Sequence, residues 1–147
     1  MTNVARLALL GLLLCAMAHC VKAQAAAYGP YSLIAPVATD GDTIKADIAI
    51  FPHLIVDGAV RVIGVDTPEI NGKCVAEKEG AKTAKTFVDA WLKANAPIVI
   101  TSVKADVYPG RYDAIVLGAD GSRLSDALIK AGLGRIYNGG KRQPWCN

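Results

Sequence analysis

Histidine is nearly missing from this chain: of its 147 residues only His19 and His53 carry an imidazole. His19 lies in an apolar N-terminal stretch, and His53 in a Phe-Pro-His-Leu segment that reads as a strand end, so chemistry built on histidine has little to stand on. A Gly-x-Ser-x-Gly turn, a glycine-rich phosphate loop and a Cys-x-x-Cys pair are absent too. Their absence removes the commoner hydrolase, nucleotide-triphosphatase and zinc readings. No internal repeat, low-complexity tract or interdomain linker interrupts Ala25 to Asn147.

Long hydrophobic runs are limited to one. Arg6 precedes an apolar run from Leu7 to Ala18, and small residues follow around Ala23. This is the layout of a secretory signal over residues 1–23, cleaved after Ala23 or Ala25. The run is shorter than the roughly 20 residues of a spanning helix; an uncleaved anchor would need it to reach Val21. A lipid on Cys20 is disfavoured by the bulky His19 before it. The expectation is a chain exported to the periplasm or secreted, a monomer with no stable membrane partner once the signal is gone. Of the 16 basic residues Arg6 and Lys22 fall in that segment, leaving 14 against 13 acidic ones and a net charge of +1. With no overall basic excess, any contact with a polyanion is local.

Cysteine is equally sparse. Cys15 and Cys20 lie within the signal, leaving Cys74 and Cys146, and two cysteines in an oxidising compartment point to one disulfide. Two free thiols or a metal site are the alternatives. A bridge would close a long loop and tie down the tail.

The remaining residues read as one domain, 32–146. Apolar and β-branched residues alternate with polar ones over Ser32–Ala38, Thr43–Phe51 and Ala59–Val65, with Asp40-Gly41 and Asp57-Gly58 as turns between them. From Ala76 to Ala94 the positions Ala81, Ala84, Phe87, Val88, Trp91 and Leu92 recur at helical spacing. Pro97 ends that pattern. Two more strand-like runs follow, Ile98–Val103 and Ala114–Leu117, then a short helix from Arg123 to Ala131 closed by Gly132. The pattern is α+β, mainly β. It fits a small five-stranded barrel with two helices packed outside; an OB-type barrel is one solution among other α+β arrangements.

Four features of this framework carry chemistry: Asp40-Gly41-Asp42-Thr43, Arg61, Asp66-Thr67-Pro68-Glu69, and Tyr108 with Arg111. Each alone is ordinary, a hairpin turn, a strand exit or a solvated charge. Together they supply what phosphodiester hydrolysis needs. Asp42 and Asp66, with a backbone carbonyl near Thr67, suit a hard divalent cation. Glu69 stands close enough in sequence to accept a proton from water. Arg61 and Arg111 offer forked donors to a phosphate.

Those motifs, with Asp106-Val107-Tyr108-Pro109-Gly110-Arg111 and Ala127-Leu128-Ile129-Lys130-Ala131-Gly132-Leu133, resemble the thermonuclease (staphylococcal nuclease) family across roughly residues 35–137. The resemblance implies an OB-type barrel and cleavage of DNA and RNA, single-stranded substrates included, to products ending in 3′-phosphate. It implies Ca2+ on Asp42, Asp66 and the Thr67 carbonyl, Glu69 as general base, and Arg61 and Arg111 on the phosphate. Tyr108 and Tyr137 are the candidate substrate-binding tyrosines.

The chain departs from the family at several points. Pro109-Gly110 adds one residue before Arg111, Val107 replaces a lysine, and Asn138 and Gly140 stand where the family has tyrosines, with Tyr137 one step away. The family's last helix has no counterpart, and a Cys74–Cys146 disulfide would replace its fastening role. Lys141 and Arg142 read as a solvated tail, with contact to substrate as the alternative. Two other roles accompany the nuclease expectation. One is a non-cutting, polyanion-binding module of the same fold; the other is exopolysaccharide biosynthesis, since one secreted protein with this resemblance is assigned to that of succinoglycan.

Overall fold

A computed structural model describes residues 28–146. The expected signal over residues 1–23 and its cleavage site lie outside the described residues. Strands β1 (Tyr31–Ala38), β2 (Thr43–Phe51) and β3 (Leu54–Val62) form an antiparallel meander, and β4 (Gly64–Asp66) follows directly. Helix α1 (Val75–Ala94) leads to β5 (Val99–Ala105) and β6 (Arg111–Leu117), then α2 (Leu124–Lys130) and β7 (Arg135–Tyr137). The barrel closes in the order β1-β2-β3-β6-β5, with β3 and β6 parallel and the other described pairs antiparallel. This is a mainly β, five-stranded barrel of OB type with two helices packed outside it.

Alternation does most of the building. Ile44, Ala46 and Ile48 of β2 and Val60 and Val62 of β3 point inward and are buried, as are Ile100, Ala114 and Val116. Register shifts in β1 between Ile34 and Val37, and in β5 between Thr101 and Lys104, bend those strands into the closed wall. Helix α1 lays Ala81, Ala84, Val88 and Leu92 on the barrel, with Phe87 and Trp91 half-buried beside them, so the helical stripe packs as its spacing predicts. At its start the Glu77 carboxylate reaches back and accepts the Lys73 N–H at 2.8 Å. Helix α2 ends in a Schellman turn: Gly132, at φ 69°, donates to Ile129, and Leu133 donates to Leu128.

The third strand differs from its expected bounds. The β2–β3 hairpin reverses at Pro52-His53, with His53 at φ 66°, and Asp57-Gly58 lies within β3 opposite Asp47 and Ala46. The apolar run Leu54-Ile55-Val56 extends the ladder and outweighs the local turn preference of Asp-Gly. At its other end the expected strand is broken at Ile63. Gly64, at φ 93°, turns the chain so that β4 leaves the barrel and pairs instead with β7, Asp66 opposite Arg135 and Gly64 opposite Tyr137. That small second sheet, unforeseen in the sequence pattern, carries the C-terminal residues over the end of the barrel.

Candidate active site

Two buried carboxylates form the floor of the site. Asp42 follows the β1–β2 turn, where its N–H donates to Asp40 Oδ1 at 3.0 Å and its carbonyl accepts the Val62 N–H at 2.8 Å. Gly41 must be glycine for this turn to sit on α1: a Cβ there would stand 2.7 Å from Ala84 Cβ and from Thr67 Oγ1. Asp66 ends β4. The two residues are 2% and 1% exposed. Thr67, itself buried, donates its N–H to Asp42 Oδ2 at 3.1 Å and so ties the second motif to the first.

Arg61 lies on β3 across from Thr43, with its guanidinium between the two aspartates. It pairs with Asp42 Oδ1, lies 4.0 Å from Asp66 Oδ1 and donates to the Val65 carbonyl at 3.4 Å. Burial, followed by the charge of Arg142, lowers its pKa from the ordinary arginine value. Asp40, nearby, is shifted upward by burial, which the opposing pull of Arg61 does not cancel.

The C-terminal segment covers this floor as a strap. Arg135 Nε and Nη2 both donate to Asp66 Oδ2, at 3.1 and 2.8 Å. The Trp145 indole N–H donates to the same oxygen at 3.1 Å, and its ring lies 4.0 Å from the Arg135 guanidinium. Arg142 places Nε 2.9 Å from Asp66 Oδ1 and Nη2 3.7 Å from Asp42 Oδ2, and donates a hydrogen bond to Glu69 Oε1. Burial works against the charge on Arg142, but the bond to Glu69 and the surrounding carboxylates raise its pKa on balance. The strap is fastened by a disulfide between Cys74, at the start of α1, and Cys146, and by a hydrogen bond of 2.6 Å from the Tyr137 hydroxyl to the Gly140 carbonyl.

Glu69 stands on the loop after β4, its side chain 41% exposed. On the opposite wall, Arg111 begins β6, two residues before Asp113, which is level with Arg61 in the β3–β6 ladder. The Arg111 guanidinium lies 4.5 Å from the Tyr108 ring and 2.5 Å from Asp106 Oδ2. That hydrogen bond holds Asp106 below the usual carboxylate range, whereas burial and the Asp106 charge push Asp113 up. Asp42, Arg61, Glu69, Tyr108, Arg111 and Tyr137 all line one cavity of about 570 Å³. The insertion before Arg111 therefore leaves that residue facing the same space as Arg61.

The donor set suits a hard cation. Asp42 and Asp66 offer buried carboxylate oxygens, and Asp66 Oδ1, fully buried, accepts no hydrogen bond and is balanced only by the charges of Arg142, with Nε at 2.9 Å, and Arg61, with Nη2 at 4.0 Å. Such a buried anionic oxygen needs a positive partner, which a cation supplies as well as a guanidinium does. The cluster of Cys74, Glu77 and Cys146 is no rival metal centre, because its sulfurs are joined to each other.

Arg135 and Trp145 are functional candidates with no signal of their own in the sequence, where Arg142 reads as a solvated tail charge with substrate contact as the alternative. Arg142 is no solvated tail charge; it meets three carboxylates. The available signal was Trp145 beside Cys146, since a bridge to Cys74 fixes where the preceding residues must run.

Residues 59–144 match the family model described as staphylococcal nuclease homologue. No curated protein matches the chain.

Proposed function

The chain belongs to the staphylococcal nuclease homologue family, and from that premise we propose that it is an exported, calcium-dependent endonuclease that hydrolyses single-stranded DNA and RNA to products with 3′-phosphate. The observation that carries this reading is the buried pair Asp42 and Asp66, joined by Arg61, with Asp42 lining one cavity together with Arg61, Glu69 and Arg111. Asp42, Asp66 and the Thr67 carbonyl would hold the ion. Bound there, it would draw charge from the phosphoryl oxygens and favour ionisation of the attacking water.

The protein's own groups do the rest. Glu69 takes the proton of the water whose oxygen bonds to phosphorus, and the P–O5′ bond breaks, leaving phosphate on the 3′ side and a 5′-hydroxyl protonated from solvent. Arg61 and Arg111 bind the non-bridging oxygens and stabilise the charge of the five-coordinate transition state. Tyr108 and Tyr137 flank the same cavity and are the surfaces for a sugar or base. Arg142 is the countercharge to the carboxylates and would yield its place to a bound ion.

A second reading, a polyanion-binding module that does not cut, draws on one observation. Asp42, Asp66 and Glu69 already face three guanidinium groups, those of Arg61, Arg135 and Arg142. A gel assay of the purified protein on DNA, RNA and an acidic polysaccharide, with calcium or with chelator, separates the readings. Calcium-dependent loss of the nucleic acids is the expected result. Salt-sensitive binding without turnover would favour the module, and loss of the polysaccharide alone would move the activity to another substrate class.

A further inference from the structure

We propose that the disulfide-fastened strap is a working part of the cation site, with Trp145 and Arg135 as positioning residues that orient Asp66. The inference rests on the cation-dependent reading of Asp42 and Asp66. Its basis is an asymmetry within one carboxylate. Asp66 Oδ2 accepts three N–H hydrogen bonds, two from Arg135 and one from Trp145, while Asp66 Oδ1 accepts none and meets only the charges of Arg142, with Nε at 2.9 Å, and Arg61, with Nη2 at 4.0 Å.

Arginine–carboxylate pairs are frequently two-pronged, one guanidinium nitrogen to each oxygen. Here both nitrogens of Arg135 and the indole N–H converge on the same oxygen. The consequence is a fixed carboxylate plane whose other oxygen faces the Arg142 guanidinium, the place a cation would take, and groups behind a metal ligand set its orientation in this way.

The donors come from 69 and 79 residues away. Their placement depends on two features of the tail: β7 puts Arg135 opposite Asp66, and the bond between Cys146 and Cys74 pins Trp145. Stacking of the indole on the guanidinium couples the two donors, so each restrains the other.

The discriminating variant is Trp145→Phe. It keeps a ring under Arg135 and changes no charge, whereas replacing Arg135 or Cys146 would also alter the field at the site or release Arg142. Calorimetric titration of the purified protein with calcium alone should show affinity reduced about 10-fold in Trp145→Phe and further in Trp145→Ala. The melting temperature is followed in parallel, because a merely structural role would lower it and leave the affinity of the folded protein unchanged.

Should Trp145→Phe fail to fold, the unaltered protein supplies the test. Its two tryptophans, Trp91 and Trp145, give two indole N–H resonances. That of Trp145 should exchange slowly with solvent and shift on addition of calcium. Calcium binding by the unaltered protein with equal affinity in Trp145→Phe, or an indole N–H that neither resists exchange nor shifts, would overturn the inference. No calcium binding by the unaltered protein would instead remove the reading beneath it.

Discussion

Arg61 and Arg111, two of the three arginines that line the cavity, are held in opposite ways. The Arg61 side chain is 12% exposed and takes its partners from the β1–β2 turn and from β4. That of Arg111 is 32% exposed and leans on Asp106 and Tyr108, within five residues of it. Tertiary structure fixes the first, and local loop geometry fixes the second. A barrel end can thus keep a buried ionic floor constant while the exposed wall accepts an inserted Pro109-Gly110, because nothing in the floor depends on that loop.

The largest effects should come from the floor and its base. Glu69→Ala should lower kcat by about 10² to 10⁴-fold, the usual worth of a placed general base; single-turnover cleavage of a labelled oligonucleotide reads this directly. Full activity in that variant would remove Glu69 from the mechanism.

The contrast between the arginines is sharpened by replacing each with alanine. Arg61→Ala should cost about 10² to 10³-fold in kcat and also about 3–5 kcal/mol of stability, because it strands a buried carboxylate. Arg111→Ala should reduce turnover and cost about 1–3 kcal/mol of stability, less than Arg61→Ala, because Asp106, with its side chain 7% exposed, loses one partner and keeps the Tyr108 N–H. Urea unfolding of both variants checks the difference, and equal stability losses would break the comparison.

Cys146→Ser tests the strap as a fastening. The bridge spans 72 residues, and the chain-entropy model assigns a loop of that length about 4 kcal/mol. Urea or thermal unfolding should show a loss of that order. The smallest effect is expected from Arg142→Ala: removing one positive charge beside the carboxylates should raise calcium affinity roughly fivefold, corresponding to ~1 kcal/mol of relieved repulsion.

The barrel was legible because its strands alternate over seven or more residues and α1 repeats its apolar positions over five turns. Asp57-Gly58 misled because a local turn preference yields to a long ladder of pairs. Strand β7 has three residues, too few for a period to show, and its partner lies far back in the chain. For the site, Asp42, Arg61, Asp66, Thr67 and Glu69 stand in short motifs, and the structure brings them together at one end of the barrel. Arg135 and Trp145 had no such mark, and Arg142 read as a tail charge. Their meaning comes from a disulfide and a strand pairing that carry them to Asp66.

The central claim is that the Asp42 and Asp66 pair is a cation site for phosphodiester hydrolysis. Its most direct test is cleavage of a single-stranded oligonucleotide by the protein and by Asp42→Ala across a calcium titration, with the product ends identified by mass. Ends carrying 3′-phosphate should appear with calcium, vanish with chelator and be absent from Asp42→Ala at every concentration. Cleavage that persists in chelator, or calcium-dependent cleavage retained by Asp42→Ala, would contradict it.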